Sequence, residues 1–156
     1  MKDTGDIFPE GFGGYAAGGF NGRDNEPAAL HPLVLAYIGD SVYEVYIRSM
    51  LAQSVCGSVH KIHTEATKYA RCAAQADVVH GISDVLTERE HDIVRRGRNA
   101  HSGYVPKNAN VIEYRYATGF EALLGYLFVN RDFDRLNHIL SLAVKKVSER
   151  STPNAE

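Results

Sequence analysis

The sequence predicts an all-α fold, and three observations point there. Apolar residues recur at the 3.6-residue spacing of a helix face in several separate stretches, no run alternates with the period of two expected of a half-buried strand, and helix-starting residues precede these stretches. The 156 residues are 44% apolar and include nine Tyr and six Phe, enough to bury one core without disulfide or cofactor help.

Residues 1–26 hold Gly5, Gly11, Gly13, Gly14, Gly18, Gly19 and Gly22 with scattered acids, too little apolar surface to offset chain entropy. A mobile tail is expected, with docking of Phe8, Phe12, Tyr15 and Phe20 on the domain or a neighbour as the alternative. Pro32 suits a first helical position, and Leu33, Val34, Tyr37, Ile38, Val42, Val45, Tyr46 and Leu51 form a stripe to about residue 52. A second helix is expected over 58–76. Thr87 and Glu90 make a capping-box pattern that opens a third, ending near Gly97. A fourth, over 111–128, sets Phe120, Leu123, Leu124, Leu127 and Phe128 on one face, and a fifth, over 136–147, does the same with Leu136, Ile139, Leu140, Ala143 and Val147. Residues from 151 are expected to fray, which leaves one domain over 27–150.

Composition narrows the function classes. No apolar stretch approaches the roughly 18 to 20 residues of a spanning helix, and no secretory signal is recognisable, so a soluble cytoplasmic protein with no membrane partner is expected. Cys56 and Cys72 form no Cys-x-x-Cys unit and read as two reduced, partly buried thiols. A net charge of −2 argues against a globally cationic nucleic-acid binder but permits a local basic patch. Ser41 and Ser102 lack a nucleophile-elbow pattern and no phosphate-loop motif occurs, so serine hydrolases and nucleoside triphosphatases fall away. Cys56, His60 and His63 have a spacing that zinc would suit, but no second pair completes such a site.

Two acids sit inside otherwise apolar helical sequence. Asp40 lies in Leu35-Ala36-Tyr37-Ile38-Gly39-Asp40-Ser41-Val42-Tyr43-Glu44, and Glu121 in Thr118-Gly119-Phe120-Glu121-Ala122-Leu123-Leu124-Gly125. Glycine inside a helix costs roughly 1 kcal/mol relative to alanine, so Gly39, Gly119 and Gly125 need a reason, and close backbone approach is the simplest. Ala36, Ala117 and Gly125 fall one turn from the two acids, so the helices can cross with little between them and bring Asp40 and Glu121 together. Paired carboxylates repel unless a hard divalent cation joins them, with Glu44, one turn on, as a further ligand or supporting acid. The plainer alternative pairs each acid with an arginine or a helix end. Residues 95–108 bring Arg95, Arg96, Arg98, Asn99, Ser102, Lys107 and Asn108 together with Gly97, Gly103 and Pro106, an irregular cationic stretch suited to phosphate and ribose. Pairing of Arg95 and Arg96 with Asp92 or Glu90 is the plainer reading there.

Taken together, residues 35–44, Arg96-Gly97-Arg98-Asn99-Ala100, Pro106-Lys107-Asn108 and residues 114–127 closely resemble the Mini-ribonuclease III family, in order and spacing, across roughly residues 30–148. The resemblance implies a ribonuclease III catalytic-domain helical bundle that works as a homodimer without a double-stranded-RNA-binding module and matures the ends of precursor 23S ribosomal RNA. It implies magnesium, with manganese as a substitute, held by the catalytic acids Asp40 and Glu121, and products with 5′-phosphate and 3′-hydroxyl ends. Leu33, Ala36 and Thr118 stand where the larger ribonuclease III enzymes carry acids, so the acidic cluster is thinner. Tyr37 falls where that family places an aromatic near its subunit interface. Two rivals are a non-catalytic RNA-binding or ribosome-associated module on the same scaffold, which the thinner cluster favours, and a helical hydrolase of nucleotides, which leaves the cationic stretch unexplained.

Overall fold

In the computed structural model, residues 26–101 and 103–151 are described; the expected glycine-rich tail up to residue 25, Ser102, and the last five residues lie outside them. The elements run α1 (Pro32–Ser54), α2 (Val59–Ala70), α3 (Cys72–Ile82), α4 (Glu88–Asn99), α5 (Val111–Val129) and α6 (Phe133–Ser151), with short 3-10 turns at Pro27–Ala29 and Ser83–Val85. No strand occurs among the described residues, as the absence of period-two alternation predicts.

Local signals set most boundaries. Pro32 opens α1 behind His31, whose Nδ1 accepts the Leu33 N–H at 3.2 Å. Ser58 caps α2, and Asn110 caps α5 by accepting from Ile112 and Glu113. The box at α4 forms as expected: Thr87 Oγ1 accepts the Glu90 N–H at 3.2 Å and the Glu90 carboxylate accepts the Thr87 N–H at 2.8 Å. Helix α6 is longer than its apolar stripe and runs through Ser151, whose hydroxyl donates to Val147 O at 3.1 Å, so Ser151 is not frayed.

Two expectations need correction. The helix expected over 58–76 is two helices, because Arg71 takes an extended conformation (φ −66°, ψ 136°) between them. Nothing in Ala70-Arg71-Cys72 breaks a helix locally; packing decides, since α2 buries no residue fully while α3 turns Ala74, Gln75, Ala76, Val78, Val79 and Ile82 into the core. The stripe expected on α1 is core only in part, at Val42, Tyr46 and Leu51. Leu35, Tyr43 and Ile47 are buried, whereas Val34, Tyr37 and Val45 stand exposed, Tyr37 to 79%. The helix is apolar on both faces, so periodicity could not choose between them.

The choice is made where α1 meets α5. A Cβ on Gly39 would lie 1.7 Å from the carbonyl oxygen of Glu121, and one on Gly125 would lie 1.9 Å from that of Leu35. The two backbones touch, as the small residues predict. Helix α4 uses the same device on another face of α5, where a Cβ on Gly119 would meet Val94 O at 2.7 Å and one on Gly97 would meet the Gly119 Cα at 2.9 Å. Helix α5 is therefore the centre of the bundle, with α1, α4 and α3 packed round it and Phe120, Leu123 and Leu124 wholly buried.

One buried ion pair ties the far end. Arg135 at the start of α6 bonds both oxygens of Glu90 at 2.8 Å and donates to Val85 O at 2.6 Å. Burial disfavours the Glu90 charge, but the bonds from Arg135 and Thr87 outweigh it and hold its pKa below the usual range.

Alanine at Gly39 or Gly125 should lower stability in chemical denaturation by about 3 kcal/mol or more, because each new methyl meets backbone that cannot repack. Alanine at Gly103, with open space around it, should change stability by less than about 0.5 kcal/mol. Equal effects at all three positions would remove the backbone contact as the determinant of the crossing.

Candidate functional site

The crossing that buries Gly39 also sets the acids. Asp40 follows Gly39 and points from the exposed side of α1, while Glu121, whose carbonyl abuts Gly39, is partly buried on α5. Burial, followed by the charge of Asp40, pushes Glu121 up to about 8, against the hydrogen bond it accepts from the Gln75 side chain. Asp40 is also raised, by burial and then by Glu44, with Arg48 opposing. The charge of the more exposed Asp40 thus disfavours ionisation of Glu121. Neither acid is paired with an arginine among the described contacts, so the plainer reading of each does not apply.

Beside Asp40 opens a pocket of about 70 Å³ whose walls include Tyr43, Ile47, Arg48, His63 and Gln75. The Tyr43 ring packs edge-on against Phe120 at 5.3 Å, yet its hydroxyl is buried with no hydrogen-bond partner. Burial and the neighbouring tyrosines and Glu121 raise its pKa further, so the hydroxyl keeps its proton and is a donor in want of an acceptor. Asp40 and the orphaned Tyr43 hydroxyl thus present oxygens to the pocket, the donor type that a hard divalent cation takes.

Glu44 lines the same pocket as Asp40. It raises Asp40 from one turn away, but its carboxylate accepts from Arg48 at 3.2 Å on the exposed surface, and no three His, Cys, Asp or Glu side chains converge on one point among the described residues. One of the positions at which the acidic cluster is thinner is closed. Thr118 is buried, with its hydroxyl donating to Tyr114 O at 3.0 Å. Cys56 lies ahead of α2 and is exposed, not partly buried, and is not on one helix face with His60 and His63.

The cationic stretch is only half irregular. Arg95, Arg96, Arg98 and Asn99 lie within α4, because the capping box starts a helix that runs past Gly97 to the α5 crossing. Arg96 is not free for a ligand: it donates to Ala28 O at 2.6 Å and Leu30 O at 3.3 Å, tying down the segment before α1. Arg95 pairs with Asp92 on the surface, as the plainer reading has it, whereas Glu90 takes Arg135 instead. Arg98 sits over the Tyr116 ring, 5.3 Å from its centre, and donates to the Tyr116 hydroxyl at 3.1 Å and to Asn99 at 3.4 Å. Lys107 and Asn108 are exposed in a turn, and Ser102 lies outside the described residues.

Sequence reasoning missed Gln75 and Tyr43. A glutamine on the Ala-Val-Ile face of α3 is a detectable signal, since an amide there must find a partner. Tyr43 reads as ordinary core until the acids beside it are placed.

Residues 33–132 match the family model for the ribonuclease III domain. The chain is 51% identical to the Mini-ribonuclease 3 of a Thermoanaerobacter species over 78% of this chain and 85% of that protein. It is 42% identical to the Mini-ribonuclease 3 of Enterococcus faecalis, over 77% and 92%. A crystal structure of a Fusobacterium nucleatum protein shares the fold, with a TM-score of 0.68 at 23% identity over 75% of this chain and 93% of that one.

The raised Glu121 makes stability depend on pH when no cation is added. A carboxyl whose folded-state pKa exceeds its ordinary value of 4.5 favours the fold while protonated, so the contribution is complete below about 4.5 and is lost as pH rises through about 8. The thermal midpoint in chelator should therefore fall between about pH 5 and pH 9, and Glu121→Gln should flatten the decline. A midpoint that rises over that window in the wild-type chain, or an equal decline in the variant, would assign the effect to other groups.

Proposed function

The chain belongs to the ribonuclease III family, in its Mini-ribonuclease 3 branch, and from that premise we propose that Asp40 and Glu121 form a magnesium-dependent site that matures precursor 23S ribosomal RNA. The protein is an endoribonuclease of double-stranded RNA. The observation that supports the site assignment is the backbone contact of Gly39 with Glu121, which brings the Asp40 and Glu121 positions together at the helix crossing, with Asp40 on the wall of a pocket.

The donor set fits magnesium, with manganese as a substitute: Asp40 and Glu121 would hold the ion and the Tyr43 hydroxyl would meet its water. When bound, the ion supplies a water of lowered pKa and positive charge against the scissile phosphate. The chain's own residues do the rest. Glu121 must give up its proton to bind, and Asp40 orients water in line with the leaving 3′-oxygen. The bond breaks to leave 5′-phosphate and 3′-hydroxyl ends, with no covalent enzyme intermediate. Arg98, held rigid by Tyr116, together with Arg95, Asn99, Lys107 and Asn108, contacts the duplex backbone and ribose, because A-form RNA offers shape and 2′-hydroxyls in its wide minor groove. Arg96 acts through the scaffold instead.

A homodimer fits the uncovered face of α1, where Val34, Tyr37 and Val45 expose apolar surface along one side. Two symmetry-related sites then cut opposite strands. No described helix is long and apolar enough to cross a membrane, and work on ribosomal precursor RNA belongs in the cytoplasm.

Asp40→Ala and Glu121→Ala should each lower magnesium-dependent cleavage of duplex RNA by at least about a thousandfold while the helical fold persists. Sedimentation of the same samples should give a dimer. Turnover by either variant at the wild-type rate removes that acid from the site, a sedimenting monomer that cuts removes the paired arrangement, and duplex binding without magnesium-dependent cleavage favours the non-catalytic module. Removing the charges of Arg95, Arg98 and Lys107 together should weaken duplex binding and reduce the slope of its salt dependence by about two to three counterions. An unchanged slope moves the RNA surface elsewhere on the bundle.

A further inference from the structure

Helix α3 buries a face of Ala74, Ala76, Val78, Val79 and Ile82, and in the middle of it stands Gln75, only 2% exposed. A buried amide without a partner costs about 1–3 kcal/mol, so one on an alanine and valine face needs an acceptor. The Glu121 carboxylate lies near it across the bundle on α5, close enough for hydrogen bonding from Gln75 to oppose the rise of the Glu121 pKa. Gln75 also lines the pocket beside Asp40 and Tyr43.

We propose that Gln75 is a positioning residue for Glu121: its amide N–H holds one carboxylate oxygen, fixes the rotamer and leaves the other oxygen turned toward the pocket and the cation. The proposal rests on the nuclease reading and names how this chain orients a site with few acids. The neutrality of the amide matters. An arginine at this place would also orient Glu121 but would cancel the charge that a cation needs, whereas glutamine donates a hydrogen bond and carries no charge. The extended link at Arg71 takes on a role as well, since it gives α3 a direction separate from α2 and so presents Gln75 to α5. Partners of this kind that hold metal ligands in place typically change metal affinity 10- to 100-fold when lost.

The test uses the full chain and manganese as the probe. Gln75→Met keeps the buried volume and removes the donor; Gln75→Asn keeps an amide but withdraws it by one carbon. Helical content and thermal midpoint in chelator establish that each variant is folded. Calorimetric titration with Mn²⁺, without RNA, should show affinity weakened about 10-fold or more in both. In cleavage, the Mg²⁺ concentration for half-maximal rate should rise by a similar factor, with the KM for duplex RNA at saturating Mg²⁺ unchanged. A folded variant that binds Mn²⁺ as wild type does, or whose defect lies wholly in the KM for RNA, overturns the proposal. Wild-type protein that binds Mn²⁺ yet leaves duplex RNA intact sinks the nuclease reading separately, and the Mn²⁺ affinities of the variants still decide the part played by Gln75.

Discussion

The contact between Gly39 of α1 and the backbone of α5 at Glu121 is the constraint from which the rest of the site follows. A side chain of any size at that point would hold the helices a methyl group or more apart, and at Gly125 one turn further along α5 the same is true in reverse. Two glycines facing two carbonyls thus set both the distance and the rotation of the helices. Rotation matters as much as distance, because it decides that the Leu35, Tyr43 and Ile47 face of α1 goes inward. Asp40 then stands at the rim of the seam and Glu121 within it.

Placing two carboxylates at such a seam works against the metal-free protein. Burial and the charge of Asp40 hold Glu121 near neutrality of charge at physiological pH, and the buried Tyr43 hydroxyl has nothing to bond. A raised buried carboxyl and an unpartnered buried hydroxyl are the uncompensated polar groups that cluster at functional sites. The fold tolerates them because the seam is surrounded by the best-packed part of the molecule, with Phe120, Leu123 and Leu124 fully enclosed, and because the far end of the bundle is secured by the Glu90–Arg135 pair and the capping box it joins.

The arginines show how one cluster of like residues divides its labour. Residues three or four apart on a helix share a side and neighbours do not, so Arg96 leaves α4 away from Arg95 and Arg98, which lie three apart on one side. Arg96 turns toward the chain ahead of α1, Arg98 toward Tyr116 on α5, and Arg95 toward solvent and Asp92. Charge counted along the sequence therefore overstates the charge that stands free at the surface, since Arg96 is spent on the chain ahead of α1.

The sequence by itself determined the helical class, the starts of α1, α4 and α5, and the backbone crossing, because periodicity, capping residues and unexplained glycines are local properties that survive in one dimension. Its two acids were legible for the same reason: a carboxylate in a core-like run stands out. Tertiary structure alone decided which face of α1 is core, where the helix after Ser58 breaks, which arginine is spent on the scaffold, and that Gln75 meets Glu121. Each of those depends on what lies opposite a residue, and a helix apolar on two sides, or an arginine beside a distant carbonyl, carries no mark of its partner in the residues next to it.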